Sequence, residues 1–153
     1  MGSSNKGDRM ECRNGDGSKK GPLAVGFVEA GSGRGGSAWC LLRIARAFRA
    51  LHADAIDPVF FGFSPASTEM LAADGFTCRT LGSRWWLGRL FEMRRLVREY
   101  GLAVLHCNNT PYPHIPLILG ARSAGARVTV HIHSSRPLTR REGWGLSLAD
   151  YCF

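Results

Sequence analysis

Three short stretches of this sequence hold the residues best suited to chemistry, and each couples polar groups to a bend in the chain. The first is Gly31-Ser-Gly-Arg-Gly-Gly36, whose glycines allow a sharp turn, with Gly35 and Gly36 leading into a helical pattern from Ser37. Backbone N–H groups left free at such a helix start can hold an anion or polar ligand without side chains. A merely structural turn is the competing reading. Glu29, the one acid adjoining the turn, either touches a ligand or pairs with Arg34.

The second stretch is His106-Cys-Asn-Asn-Thr-Pro-Tyr-Pro-His114. Asn108 and Asn109 supply donors and acceptors suited to sugar hydroxyls, and Tyr112 can cover an apolar sugar face. An asparagine-rich turn before a helix explains the same residues without a ligand. His106 reads as a structural histidine, hydrogen-bonded at a strand end. The third stretch is His131-Ile-His133-Ser-Ser-Arg136. Strand alternation sends His131 and His133 the same way, with His133 nearer the carboxyl edge, where it can donate to a hydroxyl or phosphate. Ser134 adds a polar group beside it. Arg136, Arg140 and Arg141 either grip phosphate or solvate a loop. The two histidines have no nearby carboxylate or thiol to complete a metal site, so no metal is expected.

Several other chemistries lack their parts. Gly31, Gly33 and Gly36 satisfy the dinucleotide spacing, but Phe60-Phe61-Gly62-Phe63-Ser64 stands where an acid should receive the ribose, and Asp57 comes too early. No lysine-bearing phosphate loop follows the turn, and Glu142 and Asp150 serve no nucleophile elbow. The five cysteines, Cys12, Cys40, Cys78, Cys107 and Cys152, form no C-x-x-C pair and read as reduced thiols. The N-terminus lacks a signal-peptide pattern and no run of eighteen residues is apolar, so a cytoplasmic protein is expected.

The elements that must position these residues follow from apolar periodicity. Residues 1–22 are polar and glycine-rich and read as a disordered tail. Leu23 to Val28 predicts a buried strand, followed by a helix burying Ala38, Leu41, Leu42, Ala45 and Phe48. Ile56 to Phe61 predicts a second strand, shortened by Pro58; Pro65 to Ala73 a helix capped by Ser64; and Phe76 to Leu81 a third strand. Trp85 to Tyr100 predicts a helix with Trp86, Leu90, Met93, Leu96, Val97 and Tyr100 inward, and Arg84, Arg94, Arg95 and Arg98 outward. A strand from Leu102 to His106, a helix starting between Pro113 and Pro116, and a strand from Ala126 to Ile132 complete the series. Ser147 to Asp150 sits in a short helix, and Tyr151-Cys-Phe153 reads as the opening of a sixth strand. The alternation predicts an α/β fold with a doubly wound, Rossmann-like parallel sheet over residues 23–153.

Charge narrows the partners. The formal charge is +8; beyond Pro22 fifteen arginines face nine acids, so the excess belongs to the folded part. Anionic partners are favoured: phosphates, sugar nucleotides or acidic lipid. The basic residues match no nucleic-acid reader, so nucleic acid is not an expected partner.

Taken together, Val28-Glu-Ala-Gly-Ser-Gly-Arg-Gly-Gly-Ser-Ala-Trp39, Val104-Leu-His-Cys-Asn-Asn109 and Val128-Thr-Val-His-Ile-His133 resemble the N-terminal half of a GT-B glycosyltransferase in the retaining glycosyltransferase family 4 group. Gly35 and Gly36 match the glycine pair that opens the first helix in that group, His106 and Asn108 its second motif, and His133 its third. Ala149-Asp150-Tyr-Cys-Phe153 matches the start of a further motif and stops before its serine. The resemblance implies sugar transfer from a nucleotide-diphosphate sugar, used as substrate with no cofactor, to a glycan or lipid-linked hydroxyl acceptor. It implies His133 as the catalytic or sugar-contacting histidine, with Gly35, Gly36, Ser37, Asn108, Asn109, Ser134 and Arg136 around the substrate or its phosphates. It also implies a C-terminal donor-binding domain that is missing here, so the chain reads as an incomplete fragment, inactive alone. The arginine face of the 85–100 helix suggests peripheral contact with an acidic membrane surface. The alternative is a non-catalytic Rossmann-like nucleotide-binding or regulatory module.

Overall fold

The computed structural model describes residues 21–31, 35–109, 112–133 and 137–153; most of the expected polar tail lies outside them. Among the described residues six strands alternate with five helices in chain order: β1 (Leu23–Glu29), α1 (Gly36–Leu51), β2 (Ile56–Gly62), α2 (Pro65–Ala73), β3 (Thr77–Thr80), α3 (Trp86–Tyr100) and β4 (Val104–Asn108). A 3-10 turn (Tyr112–His114), α4 (Ile115–Ser123), β5 (Arg127–His131), α5 (Arg140–Ser147) and β6 (Tyr151–Cys152) follow. The strands form one sheet in the order β3-β2-β1-β4-β5-β6, with parallel pairing throughout. The chain builds outward from β1 in one direction and then returns to build outward from β4. The β1/β4 boundary is therefore the switch point where doubly wound sheets open a crevice at their carboxyl ends.

Two apolar layers cover the sheet. Leu41, Leu42 and Ala45 of α1 and Leu71 of α2 pack with Phe27 and Phe60 in one cluster. Met93, Leu96 and Val97 of α3 and Leu117, Ile118 and Ala121 of α4 pack with Val28, Leu105 and Val130 in the other. The inward side of α1 is as its periodicity predicts, with Phe48 partly buried at its end.

The structure corrects several local expectations. Pro58 does not shorten β2, which runs seven residues, because pairing with β3 starts only at Val59 and no ladder bond on that side needs a Pro58 donor. Ser64 precedes α2 without a side-chain capping bond; its hydroxyl meets the Ser67 hydroxyl at 3.1 Å instead. Strand β4 is displaced toward Asn108, since Gly101 adopts the left-handed conformation (φ 61°) and Leu102 and Ala103 complete the exit turn with bonds to Val97 and Ala24. Helix α5 ends at Ser147 with Leu148 as its C-cap, so the helix expected over Ser147 to Asp150 lies earlier in the chain. Gly143 and Gly145 weaken its helical signal, but Thr139 and Glu142 form a capping box that fixes its start.

The outward side of α3 also differs. Arg94 is partly buried where α3 meets α4 at Gly120; a Cβ there would stand 2.3 Å from the Leu90 carbonyl oxygen and 3.2 Å from Arg94 N. Trp86, expected inward, is about half exposed. No helix among the described residues is long and apolar enough to cross a membrane.

Candidate functional site

The carboxyl ends of β1, β4 and β5 lie side by side, with Glu29 paired to Asn108 and Asn108 to His131 in the strand register. Alternation along β1 puts Glu29 on the same face as Val25 and Phe27, and it is buried, only 1% exposed. A carboxylate removed from water needs donors, and three supply them. Gly31 N donates to Oε1 at 2.7 Å, the Ser37 hydroxyl to Oε1 at 3.3 Å and Asn108 Nδ2 to Oε2 at 2.6 Å. Glu29 thus ties Gly31 and the first turn of α1 to the end of β4. The Ser67 hydroxyl adds a bond to the Gly31 carbonyl at 2.7 Å.

Asn108, fully buried, passes this order on to His133. Its Nδ2 also donates to the Ser37 carbonyl at 3.2 Å, so two acceptors fix which end of the amide is nitrogen. Oδ1 therefore faces His133 Nε2, 2.7 Å away, and Nε2 must carry the hydrogen. Nδ1 is then the second nitrogen of an exposed imidazole, able to accept a hydrogen bond when the ring is neutral and to donate when it is charged.

The His131 ring lies 4.1 Å from the His133 ring, on the side that alternation predicts. Burial, and then the proximity of His133, holds the His131 imidazole below the usual histidine range. His106 is hydrogen-bonded as expected, but inside β4 rather than at its end. Its Nδ1 meets the Thr129 hydroxyl at 2.8 Å, its ring packs on Phe27, and burial first, then His131 and His133, push it down to about 4. Among the described residues no group of three or more His, Cys, Asp or Glu side chains is arranged to hold a metal ion.

Gly35 and Gly36 open α1 with nothing within 4 Å of where a Cβ would stand, which leaves the approach to the helix start clear. The residue that reaches His133 is Asn108. Asn109 instead turns the chain, with φ 90° and its N–H bonded to the His131 carbonyl at 2.8 Å. Arg34, Ser134 and Arg136 lie outside the described residues, as does the side chain of Tyr112. Arg140 and Arg141 are exposed at the start of α5. Sequence reading left Glu29 between a ligand contact and an Arg34 pair, and missed its link to Asn108. The signal available was its parity with Val25 and Phe27, which predicts a buried acid in need of donors.

A parallel sheet with its switch point at β1/β4 and polar groups on three adjacent strand ends is a Rossmann-like fold. No family model and no curated protein matches the sequence. Solved structures that share the fold include MurG from Acinetobacter baumannii (TM-score 0.68, 16% identity, covering 86% of this chain and 40% of that one). Anabaena HepE, solved in complex with UDP and glucose, superposes with TM-score 0.65 at 15% identity over 85% of this chain and 37% of its own. The UDP-GlcNAc 2-epimerase of Methanocaldococcus jannaschii follows with TM-score 0.60 and 12% identity, over 86% and 39%. This chain therefore spans about 40% of the length of MurG and similar shares of the other two. Identities this low establish a common fold.

Proposed function

We propose that this chain is the acceptor-side half of a nucleotide-sugar glycosyltransferase of the retaining family 4 group, completed by a second domain that binds the donor. The carrying observation is the bonded series Glu29–Asn108–His133, which fastens the glycine turn and orients an exposed imidazole beside it. The epimerase fold likeness means that architecture alone does not choose the reaction; the choice rests on this site and on the motif resemblance.

In this reading a nucleoside diphosphate leaves the donor sugar and negative charge grows on the departing oxygen. N–H groups at Gly35 and Gly36, with the Arg136 guanidinium, stabilise that charge more in the transition state than in the ground state. His133 contacts the sugar or the acceptor hydroxyl through Nδ1, while Ser37, Asn109 and Ser134 provide further polar contacts. The acceptor is a glycan or lipid-linked glycan. Closure of a donor-binding domain over residues 23–153 excludes water and limits hydrolysis, so this chain alone transfers no sugar.

The test is turnover with a panel of sugar nucleotides and hydroxyl acceptors. In an enzyme containing both domains, His133→Ala lowers kcat/KM by about a hundredfold or more with little change in urea stability. Transfer by residues 1–153 alone overturns the two-domain reading; unchanged turnover in His133→Ala removes His133 from the site.

A further inference from the structure

The carboxyl edge of the sheet carries a second recess besides the Glu29–Asn108–His133 corner. The segments leaving β3, β4 and β5 lead into α3, α4 and α5, and the starts of these helices enclose a cleft of about 380 Å³, the size of a small-molecule site. Arg84, Trp86 and Arg89 line it from the α3 side, and Arg141 and Trp144 from one face of α5. The rest of the lining is proline and isoleucine from around the start of α4.

The walls are held by bonds that involve no ligand. Glu92 accepts the N–H groups of Gly82 and Ser83 at 2.8 and 3.0 Å, and Arg89 Nε donates to the Ser83 carbonyl at 3.1 Å. The segment carrying Arg84 is thereby tied to α3 through both backbone groups of Ser83. The Arg89 guanidinium also lies 4.5 Å from the centre of the Phe63 ring, which steadies its plane. On the opposite wall the Thr139–Glu142 capping box fixes the first turn of α5, and Arg141 with it. These bonds also occupy the carboxylates of Glu92 and Glu142, and no acid is among the described residues that line the cleft.

The lining is chemically one-sided. A guanidinium has five N–H donors and no acceptor, an indole one donor and no acceptor, and the side chains of proline and isoleucine have neither. Three cations and two half-exposed indoles call for a ligand that brings negatively charged acceptors together with a ring face to lie on an aromatic surface. We propose that the cleft binds an acidic saccharide, a sugar residue bearing a carboxylate or a phosphate. The anion sits among Arg84, Arg89 and Arg141, and the C–H face of the ring lies against the indoles. The choice of a saccharide rests on the transferase reading, in which the acceptor becomes an acidic glycan gripped here by its charge. The anion site itself rests on the cleft alone.

The full chain is titrated, without donor, with trigalacturonate, its methyl ester, galactose 6-phosphate, galactose and UDP, and binding is read by calorimetry and tryptophan fluorescence. At least one acidic saccharide should bind and shift the tryptophan emission, with an affinity that falls as salt rises. Its uncharged counterpart should bind about tenfold more weakly, or worse. Which of the two acidic forms binds names the anion. Arg84→Gln/Arg141→Gln should lower affinity by about tenfold or more and flatten the salt dependence, and Arg84→Gln alone should do so by a smaller factor. Trp144→Ala should weaken binding and diminish the fluorescence change. Trp39→Ala, on α1 in the opposite apolar layer, should bind as the parent does. All these positions are exposed, and circular dichroism checks the fold. Failure of both acidic saccharides to bind, equal binding of charged and uncharged forms, or equal binding by the arginine variants and the parent overturns the proposal. So does UDP that binds more tightly than either saccharide and is weakened by Arg84→Gln/Arg141→Gln, which would make the cleft a nucleotide site. The titration involves no turnover, so a failed transfer assay leaves the anion site standing, and failed binding by an active two-domain enzyme leaves the transferase with a neutral acceptor.

Discussion

Asn108 Oδ1 lies 2.7 Å from His133 Nε2, and this contact decides which imidazole nitrogen bears the hydrogen. The amide cannot reverse at no cost, because its nitrogen is held by the Glu29 carboxylate and the Ser37 carbonyl. Replacing Asn108 by Ala removes a donor from a buried carboxylate, a loss of about 2–3 kcal/mol, read as a lower urea midpoint at unchanged slope. Asn108→Asp should be worse, since it sets a second carboxylate against Glu29. A deficit no larger than that of Asn108→Ala would show that the carboxylates do not meet.

Gly120 and Gly143 should respond oppositely to alanine. At Gly120 the new methyl meets the backbone of Leu90 and Arg94, so α3 and α4 must separate; the cost is about 3 kcal/mol. At Gly143, inside α5, nothing lies within 4 Å of the added carbon, and alanine should stabilise by about 0.5–1 kcal/mol. Thermal melts of the two variants check both signs.

His106 makes the fold sensitive to acid. Its imidazole is pushed down to about 4 in the folded protein, whereas an unfolded chain returns it to about 6.5. The unfolded state therefore takes up its proton first as pH falls. Stability is full above about pH 6.5 and declines toward about pH 4, by on the order of 3 kcal/mol in total. His131 is shifted in the same direction and adds to the slope. His106→Asn, which keeps a polar partner for Thr129, should flatten the stability curve in that window. An unchanged curve would place the acid sensitivity elsewhere.

Cys107 should report global unfolding. It is fully buried in β4, and burial pushes its thiol up; Cys78, also partly buried, is pushed up to about 11. Thiolate is the reactive form, so labelling of Cys107 should wait for opening of the sheet and slow in proportion to stability. Rapid labelling in the native protein would point to local opening of β4.

The sheet was legible in the sequence because each strand is a short apolar run separated from the next by a helix-length crossover. The site was legible in part: His133 and Asn108 stand out by type and place, but Glu29 looked ambiguous because its donors come from residues 31, 37 and 108, which only the fold assembles. Two residues of helix α3 were misread. Periodicity puts Trp86 inward and Arg94 outward, but Arg94 is partly buried where the backbones of α3 and α4 meet at Gly120, and Trp86 is about half exposed. Helix α5 was placed too late, at Ser147 to Asp150, because two glycines hid a start that Thr139 and Glu142 mark plainly.

Glu29 and Asn108 are 79 residues apart in the chain, and Asn108 and His133 a further 25. During synthesis the acid at the end of β1 leaves the ribosome long before the amide that will donate to it. Until β4 slots in next to β1, water must stay at that corner and the glycine turn lacks one of its anchors. The corner formed by Glu29, Asn108 and His133 therefore cannot form before β4 and β5 are in place, and a nascent chain carrying only β1 through β3 has no means of forming it.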